Sequence, residues 1–258
     1  MKKLLFETLR GLTKRLDVNR VKHLLGATED FPPDFDQEMI DRIVSVRPYT
    51  LTSPERIYAL CEAVKYIVNS KIPGDIVECG VWKGGSMIAV ARTLIQLNDC
   101  SRNLHLFDTF EGMTEPGEKD VDYQGFSASK YLKSSNKEED INSIWCYAPL
   151  EAVKMAVKTV GYDSNKIHFV KGKVEETIPS KAPKTISLLR LDTDWYESTK
   201  HELIHLFPRI SPGGVIIIDD YGHWQGARKA VDEYIEENKI KILLNRIDYT
   251  GRIGVVLN

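Results

Sequence analysis

The sequence predicts an α/β protein: a doubly wound, mainly parallel sheet with helices on both faces, a C-terminal antiparallel hairpin and a set of N-terminal helices. Three observations predict it. From Asp75 onward, short apolar runs alternate with segments of helical period, the pattern of strand–helix–strand units. The first of these runs opens into a glycine-rich turn, Gly80-Val81-Trp82-Lys83-Gly84-Gly85. Several of the later runs end on aspartate, at Asp108, Asp192 and Asp219-Asp220.

The elements follow in order. Leu5, Leu9, Leu12 and Leu16 recur at helical spacing among Lys2, Lys3, Arg10, Lys14 and Arg15. This predicts an amphipathic helix that packs on the body or on a partner subunit; a helix lying on a membrane surface is the alternative. Ser53 and Pro54 mark the start of a helix to about Ser70, with Ile57, Leu60, Cys61, Val64 and Ile67 on its apolar face. Strands are expected at 75–79, 104–108, 167–171, 186–191 and 215–218, and helices at 86–97, 148–160, 198–207 and 227–238. The stretches 242–246 and 252–256 form the hairpin. Residues 111–145 are polar and read as a mobile, lid-like insertion. The resulting plan is a helical cap over 1–70 and a main domain over 71–258, with an insertion near 111–147.

Composition narrows the function. Thirty-five basic against 37 acidic residues give a formal charge of −2, which argues against a general nucleic-acid binder. No run of eighteen apolar residues exists, so no membrane-spanning helix is expected. The apolar run Leu4-Leu5-Phe6 is too short for a secretory leader. Cys61, Cys79, Cys100 and Cys146 form no Cys-x-x-Cys pair and read as free thiols, which suits the cytoplasm.

In an open parallel sheet, ligands bind beyond the carboxyl ends of the strands. The first turn departs from the dinucleotide fingerprint Gly-x-Gly-x-x-Gly, and Glu78 precedes it. A carboxylate there repels a pyrophosphate and suits an ammonium group. The plainer reading is a tight strand–helix turn. Asp108, ending the second strand, can accept hydrogen bonds from ribose hydroxyls or cap the turn that follows it. Gly172 leaves room for a flat base, with Val174 beside it. Together these positions outline a site for an adenosine joined to an amino acid, which fits S-adenosylmethionine.

Asp192, Asp219 and Asp220 fall at the ends of the fourth and fifth strands. If those strands are neighbours, the three carboxylates converge and repel unless a cation binds. An all-oxygen set favours Mg²⁺, with Mn²⁺ or Ca²⁺ as substitutes. Asp192 is the choice for both metal ligand and catalytic base. His223 is a competing base, although a lone loop histidine is more often a surface or wall residue. Asp194 is assigned to the dipole of the following helix.

Four motifs then carry a resemblance: Val77 to Ser86, Phe107 to Met113, Leu189 to Thr199, and Gly213 to Tyr221. In this order the chain resembles the TylF/MycF/NovP-type family of macrocin O-methyltransferases from about Arg47 to the C-terminus. The resemblance implies a class I methyltransferase fold, S-adenosylmethionine as donor and magnesium-dependent transfer to a sugar hydroxyl. It implies Asp192, Asp219 and Asp220 as metal ligands, with Asp192 also the base. Glu78, Gly80, Val81, Trp82 and Ser86 fall on the methionine side of the cofactor. Asp108, Thr109, Phe110 and Gly112 fall on the ribose side. Tyr49 to Thr52 resembles a segment that closes over the cofactor. A homo-oligomer is also implied.

Thr193 and Trp195 depart from the family's usual Asp-Gly-Asp-Leu, and 116–147 has no convincing match. Acceptor choice is expected there and around His223 to Gln225. Rival readings are a catechol-type O-methyltransferase, a nicotinamide-dependent oxidoreductase, and a cofactor-binding module without catalysis.

Overall fold

The computed structural model describes residues 31–135 and 144–257. The basic N-terminal stretch therefore lies outside the described residues. The chain divides into two compact units, residues 1–41 and 42–258. The first described element is helix α1 (Gln37–Val46), whose entry is capped by Asp36, with its Oδ1 accepting the Met39 amide at 2.7 Å.

Helix α2 (Pro54–Asn69) begins where the sequence predicts. Ser53 Oγ accepts the Arg56 amide at 3.1 Å, and proline at the first helical position loses no intrahelical hydrogen bond. Ile57, Leu60, Cys61, Val64 and Ile67 form its buried face. Five parallel strands follow: β1 (Asp75–Cys79), β2 (Leu104–Asp108), β3 (Ile167–Lys171), β4 (Ile186–Leu191) and β5 (Ile210–Ile218). The hairpin strands β6 (Asn245–Arg246) and β7 (Arg252–Val255) complete a seven-stranded sheet of order β3-β2-β1-β4-β5-β7-β6. Only the pairs made by β7 are antiparallel. The intervening helices are α3 (Gly85–Gln96), α4 (Ala128–Lys133), α5 (Leu150–Lys158), α6 (Val174–Thr177), α7 (Tyr196–Leu206) and α8 (Gln225–Glu237).

Strand order reverses between β1 and β4, because β1 runs to β2 on one side while the chain crosses over to β4 on the other. That reversal opens a crevice at the carboxyl ends. The sheet is buried on both faces: every residue of β4 is buried, including Ser187 and Arg190.

Several elements differ from expectation; the first hairpin strand, expected over 242–246, spans only Asn245–Arg246. β5 starts at Ile210 rather than Val215. Its first half carries Pro212, Gly213 and Gly214, which mask a strand in sequence, and its pairing with β4 shifts register between Ile186 and Leu188. The described part of the insertion is also better anchored than its polarity suggests, residues 136–143 lying outside the described residues. Val121 bridges Ser127, and Asp122 bridges Trp224. Ala128 and Leu132 pack with Trp195, Trp224 and Ala227 in a small second core, against which Met113, Tyr131, Ile144 and Trp145 rest. These apolar residues are too widely spaced to show a period.

No helix among the described residues is long and apolar enough to cross a membrane. The four cysteines form no disulfide among the described residues; Cys61 and Cys79 are buried, while Cys100 is exposed.

Candidate active site

The hydrogen-bond ladder continues past the last paired residues of the central strands. The Asp192 amide donates to Cys79 O at 2.8 Å, and the Asp219 amide donates to Leu191 O at 2.9 Å. These bonds hold the ends of β1, β4 and β5 side by side. One carboxylate oxygen from each of Asp192, Asp219 and Asp220 consequently lies within 4.8 Å of the others. The sequence expectation that these three converge is met.

The electrostatics of the cluster are dominated by two arginines that the sequence reading passed over. Arg190 on β4 places Nη1 at 2.7 Å from Glu78 Oε1 and 2.8 Å from Asp192 Oδ2, and Nη2 at 2.6 Å from Asp219 Oδ1. Arg56 on α2 pairs with the other oxygen of Asp219 and, through Nε, with Asp248 at 2.9 Å. Burial pushes the Asp219 carboxyl up, but Arg190 and Arg56 outweigh it and the pKa falls. Asp220 goes the other way. Burial raises it, and so do the charges of Asp194 and Asp219. Burial likewise lifts Asp192 well above its ordinary value, with Asp219 and Asp220 adding to the shift and Arg190 opposing it.

Three converging carboxyl groups, with Glu78 and Asp248 drawing on the same two guanidiniums, thus carry more acidic groups than the arginines can pair. A hard divalent cation fits this donor set, since carboxylate oxygens at such spacing are the ligands Mg²⁺ takes. The residues that would hold it are Asp192, Asp219 and Asp220.

Asp194 does not play the part expected of it. Helix α7 begins at Tyr196, and its first amide is capped by Asp120 Oδ1 at 2.8 Å. Asp194 turns inward with φ +65°, accepts the Trp224 indole N–H at 2.6 Å, and donates its own amide to Asp220 Oδ2 at 3.1 Å. Burial, then the Asp192 charge, push its carboxyl up to about 7. Sequence proximity to a helix start concealed this role.

On the other side of the crevice, the β1 loop approaches the β4 end closely. A Cβ on Gly80 would stand 1.9 Å from Asp192 O, and its φ is +84°, so only glycine fits. Asp108 organises the loop. Its Oδ2 accepts the Val81 and Trp82 amides at 2.7 and 3.0 Å, and its Oδ1 accepts the Phe110 amide at 2.6 Å and faces Thr109 Oγ1 at 3.5 Å. Turn capping, the plainer of its two expected roles, is what these contacts perform. Thr109 Oγ1 donates to Gly112 O at 2.7 Å, fixing the same turn. The Gly172 amide donates to Asp108 O at 3.0 Å, which brings the β3 end alongside.

Glu78 is 1 % exposed and paired through Oε1 with Arg190; its Oε2 is buried with no hydrogen-bond partner. Burial raises its carboxyl to about 7 against the pull of Arg190. Ser86 lies beside it in a narrow crevice shared with Leu60, Met87 and Arg190. Trp82 Nε1, a donor, is another buried polar atom with no hydrogen-bond partner. Thr52 Oγ1 accepts from Arg190 Nη2 at 3.2 Å, and a Cβ on Gly85 would strike Thr50 Cβ at 2.6 Å. The 49–52 segment therefore lies directly on the glycine turn.

The side chains of Val81, Phe110 and Val174 are buried, with Val174 in the main core beside Phe107 and Ile178. Val174 thus packs inward rather than standing open beside a base. Glu202, also unforeseen, is fully buried and accepts the Thr193 hydroxyl with both oxygens, at 3.0 and 3.1 Å, bracing the turn between Asp192 and Asp194.

The chain is similar to known proteins over most of its length. A protein of Streptomyces olivaceus, 8-demethyl-8-(2,3-dimethoxy-alpha-L-rhamnosyl)-tetracenomycin-C 4'-O-methyltransferase, is 32% identical over 222 residues, covering 86% of this chain and 81% of that protein. Mycinamicin III 3''-O-methyltransferase of Micromonospora griseorubida is 31% identical over 204 residues, covering 79% of this chain and 76% of its own length. The solved structure of the O-methyltransferase NovP superposes with a TM-score of 0.71 at 27% identity, covering 81% of this chain and 83% of that one. Residues 22–253 match the macrocin-O-methyltransferase (TylF) family as a whole. A match over that span, joined to a methyltransferase sheet, places this chain in the TylF family and makes it an O-methyltransferase.

Proposed function

We propose that the enzyme moves a methyl group from S-adenosylmethionine to a hydroxyl of a sugar or glycosylated small molecule, with Mg²⁺ bound by Asp192, Asp219 and Asp220. The carboxylate triad, with its three oxygens within 4.8 Å, carries this reading. The relatives support the acceptor class, since one is named for a rhamnosyl tetracenomycin and another for mycinamicin III.

A bound divalent cation lowers the pKa of a coordinated hydroxyl and orients it. Asp192 takes the hydroxyl proton. Its side chain keeps 27 % exposure while Asp219 keeps 3 %, so Asp192 is the more accessible of the two. The hydroxyl oxygen forms a bond to the methyl carbon as the carbon–sulfur bond breaks, and the electron pair stays on sulfur as a neutral thioether. Positioning is the rest of the task. Glu78, Gly80, Val81, Trp82 and Ser86 serve the methionine side of the donor. The partnerless Glu78 Oε2 and Trp82 Nε1 suit a ligand bearing both a cation and a carboxylate. Asp108, Thr109, Phe110 and Gly112 shape the ribose side, Gly172 and the Val174 backbone the base side, and Thr52 the cover. In this reading the chain works in the cytoplasm as a homo-oligomer.

The test is incubation with S-adenosylmethionine and a panel of p-nitrophenyl α-L-rhamnopyranoside, p-nitrophenyl β-D-glucopyranoside and catechol, with and without chelator. Products are read by mass spectrometry. Chelator-sensitive methylation of a glycoside is expected; methylation of catechol alone would overturn the sugar reading.

A further inference from the structure

We propose that Tyr123, His223 and Tyr249 form the wall that receives the acceptor, with the C–H face of a pyranose ring lying against the two tyrosine rings. The proposal rests on the sugar-transfer reading above and specifies where the sugar sits.

The three rings come from three separate segments. Tyr123 lies in the insertion after β2, His223 in the loop between β5 and α8, and Tyr249 in the hairpin turn. His223 stands between them. Its ring centroid is 5.7 Å from that of Tyr123 and 6.0 Å from that of Tyr249, and its Nδ1 lies 3.4 Å from the Tyr249 hydroxyl. Both tyrosines are open to solvent, at 54 % and 49 % exposure. Large aromatic side chains ordinarily bury such area, so two exposed rings gathered around one histidine are a surface made for contact.

Each segment is tied to the carboxylate triad. The His223 amide donates to Asp220 O at 3.0 Å. Its ring meets the Trp224 indole edge-on at 4.8 Å, and that indole donates to Asp194, whose amide holds Asp220. The hairpin turn is fixed by the Thr250 hydroxyl donating to Asp219 O at 2.7 Å, and by the Gly222 amide donating to Thr250 O at 2.8 Å. The Tyr123 segment is fixed by the Gln225 amide donating to Val121 O and the Gln225 side chain donating to Asp122 O, each at 2.9 Å. The wall is therefore part of the same frame as the reacting centre, and movement of one displaces the other.

The chemistry selects a saccharide. A pyranose has one face lined with C–H groups and a rim of hydroxyls. Aromatic faces take the first, and tyrosine hydroxyls and an imidazole take the second.

The variants are Tyr123→Ala, Tyr249→Ala, and the ring-preserving Tyr123→Phe and Tyr249→Phe. Both positions are exposed, so folding is expected to persist, and calorimetric affinity for S-adenosylhomocysteine reports that the rest of the site is intact. With the p-nitrophenyl glycoside that the wild type methylates, each alanine variant should raise KM by about tenfold with kcat little changed, the effect of losing one stacking contact. The phenylalanine variants, which keep the ring and lose the hydroxyl, should recover most but not all of this loss. Unchanged KM in both alanine variants, with the glycoside still methylated, overturns the wall and leaves the sugar reading standing. A wild type that methylates neither glycoside overturns the sugar reading, and the wall with it.

Discussion

Arg190 and Asp219 meet across the ends of β4 and β5, Nη2 to Oδ1 at 2.6 Å, while the same guanidinium reaches Glu78 at 2.7 Å and Asp192 at 2.8 Å. One cation thus joins Glu78, near the end of β1, to the carboxylates at the ends of β4 and β5. Replacing it leaves three carboxylates without their principal partner in a buried setting. Arg190→Met should cost about 3–5 kcal/mol of stability, the range for breaking a buried pair by removing one member. Arg190→Lys should recover only part of this, because an ammonium cannot fork to several acceptors at once. Denaturant unfolding of the two variants beside wild type measures both.

Asp192→Asn keeps the shape of the side chain and removes its capacity to take a proton. A general base contributes about 10²–10⁴ in rate, and kcat should fall within that range. Calorimetric affinity for S-adenosylhomocysteine should change little, since the loop that would hold it is braced by Asp108 and Gly80. Full turnover in this variant would remove Asp192 from the chemistry.

Much of this site was legible in sequence, for a topological reason. Apolar runs bounded by glycine, proline or aspartate located β1 to β4 to the residue, and a parallel sheet sends every strand's carboxyl end to one rim. Asp192, Asp219 and Asp220 can therefore be grouped from the sequence alone. Their counter-charges cannot. Arg190 matters because strand register sets it directly opposite Glu78, and a register is a property of two strands rather than one. Its signal was present, a lone cation inside Leu188-Leu189-Arg190-Leu191. Arg56 looks like a solvated helix residue until Asp219 and Asp248 arrive from distant parts of the chain. Asp194 misled because sequence neighbours suggest helix capping, whereas its actual partner, Trp224, lies on another element.

Removal of divalent cations should stop methyl transfer, and Mg²⁺ or Mn²⁺ should restore it. The binding itself has an independent readout. Calorimetric titration of Mn²⁺ into metal-free protein should show one site, lost in Asp220→Ala. Asp220 is the informative position, because Asp219 also anchors Arg56 and Arg190 and its loss disturbs the fold. Undiminished turnover after exhaustive chelation would sink the metal's role.

Far from this rim, at the opposite end of the strands, a pH dependence of stability is built into β1, β2 and β3. His105 Nε2 lies 3.0 Å from Asp75 Oδ2, His168 Nε2 lies 3.1 Å from Asn103 Oδ1, and the two imidazoles stack with centroids 4.7 Å apart. Burial raises the Asp75 carboxyl, but hydrogen bonds from His105 and Asn103 outweigh it and the pKa is lowered. A lowered acid stabilises the fold above its unfolded pKa of about 3.9, and that contribution is lost as pH falls through the folded value. Burial, with the neighbouring His105, lowers His168 as well. For a base the consequence starts higher. Below an unfolded pKa of about 6.5 the unfolded chain takes up this proton more readily than the folded one, and stability declines. These two groups should therefore each contribute an acid-side loss, one beginning near pH 6.5 and one below pH 4, the first set against the opposite contribution of the raised Glu78 and Asp194 carboxyls. His168→Gln should flatten the first and leave the second. Asp75→Asn should remove the second and cost roughly 0.5–1 kcal/mol at pH 7, a modest value because its side chain is partly solvated. Urea unfolding of the three proteins between pH 3 and 8 resolves the two effects as differences from wild type, and a His168→Gln profile that runs parallel to wild type from pH 8 to 5 would refute the His168 part.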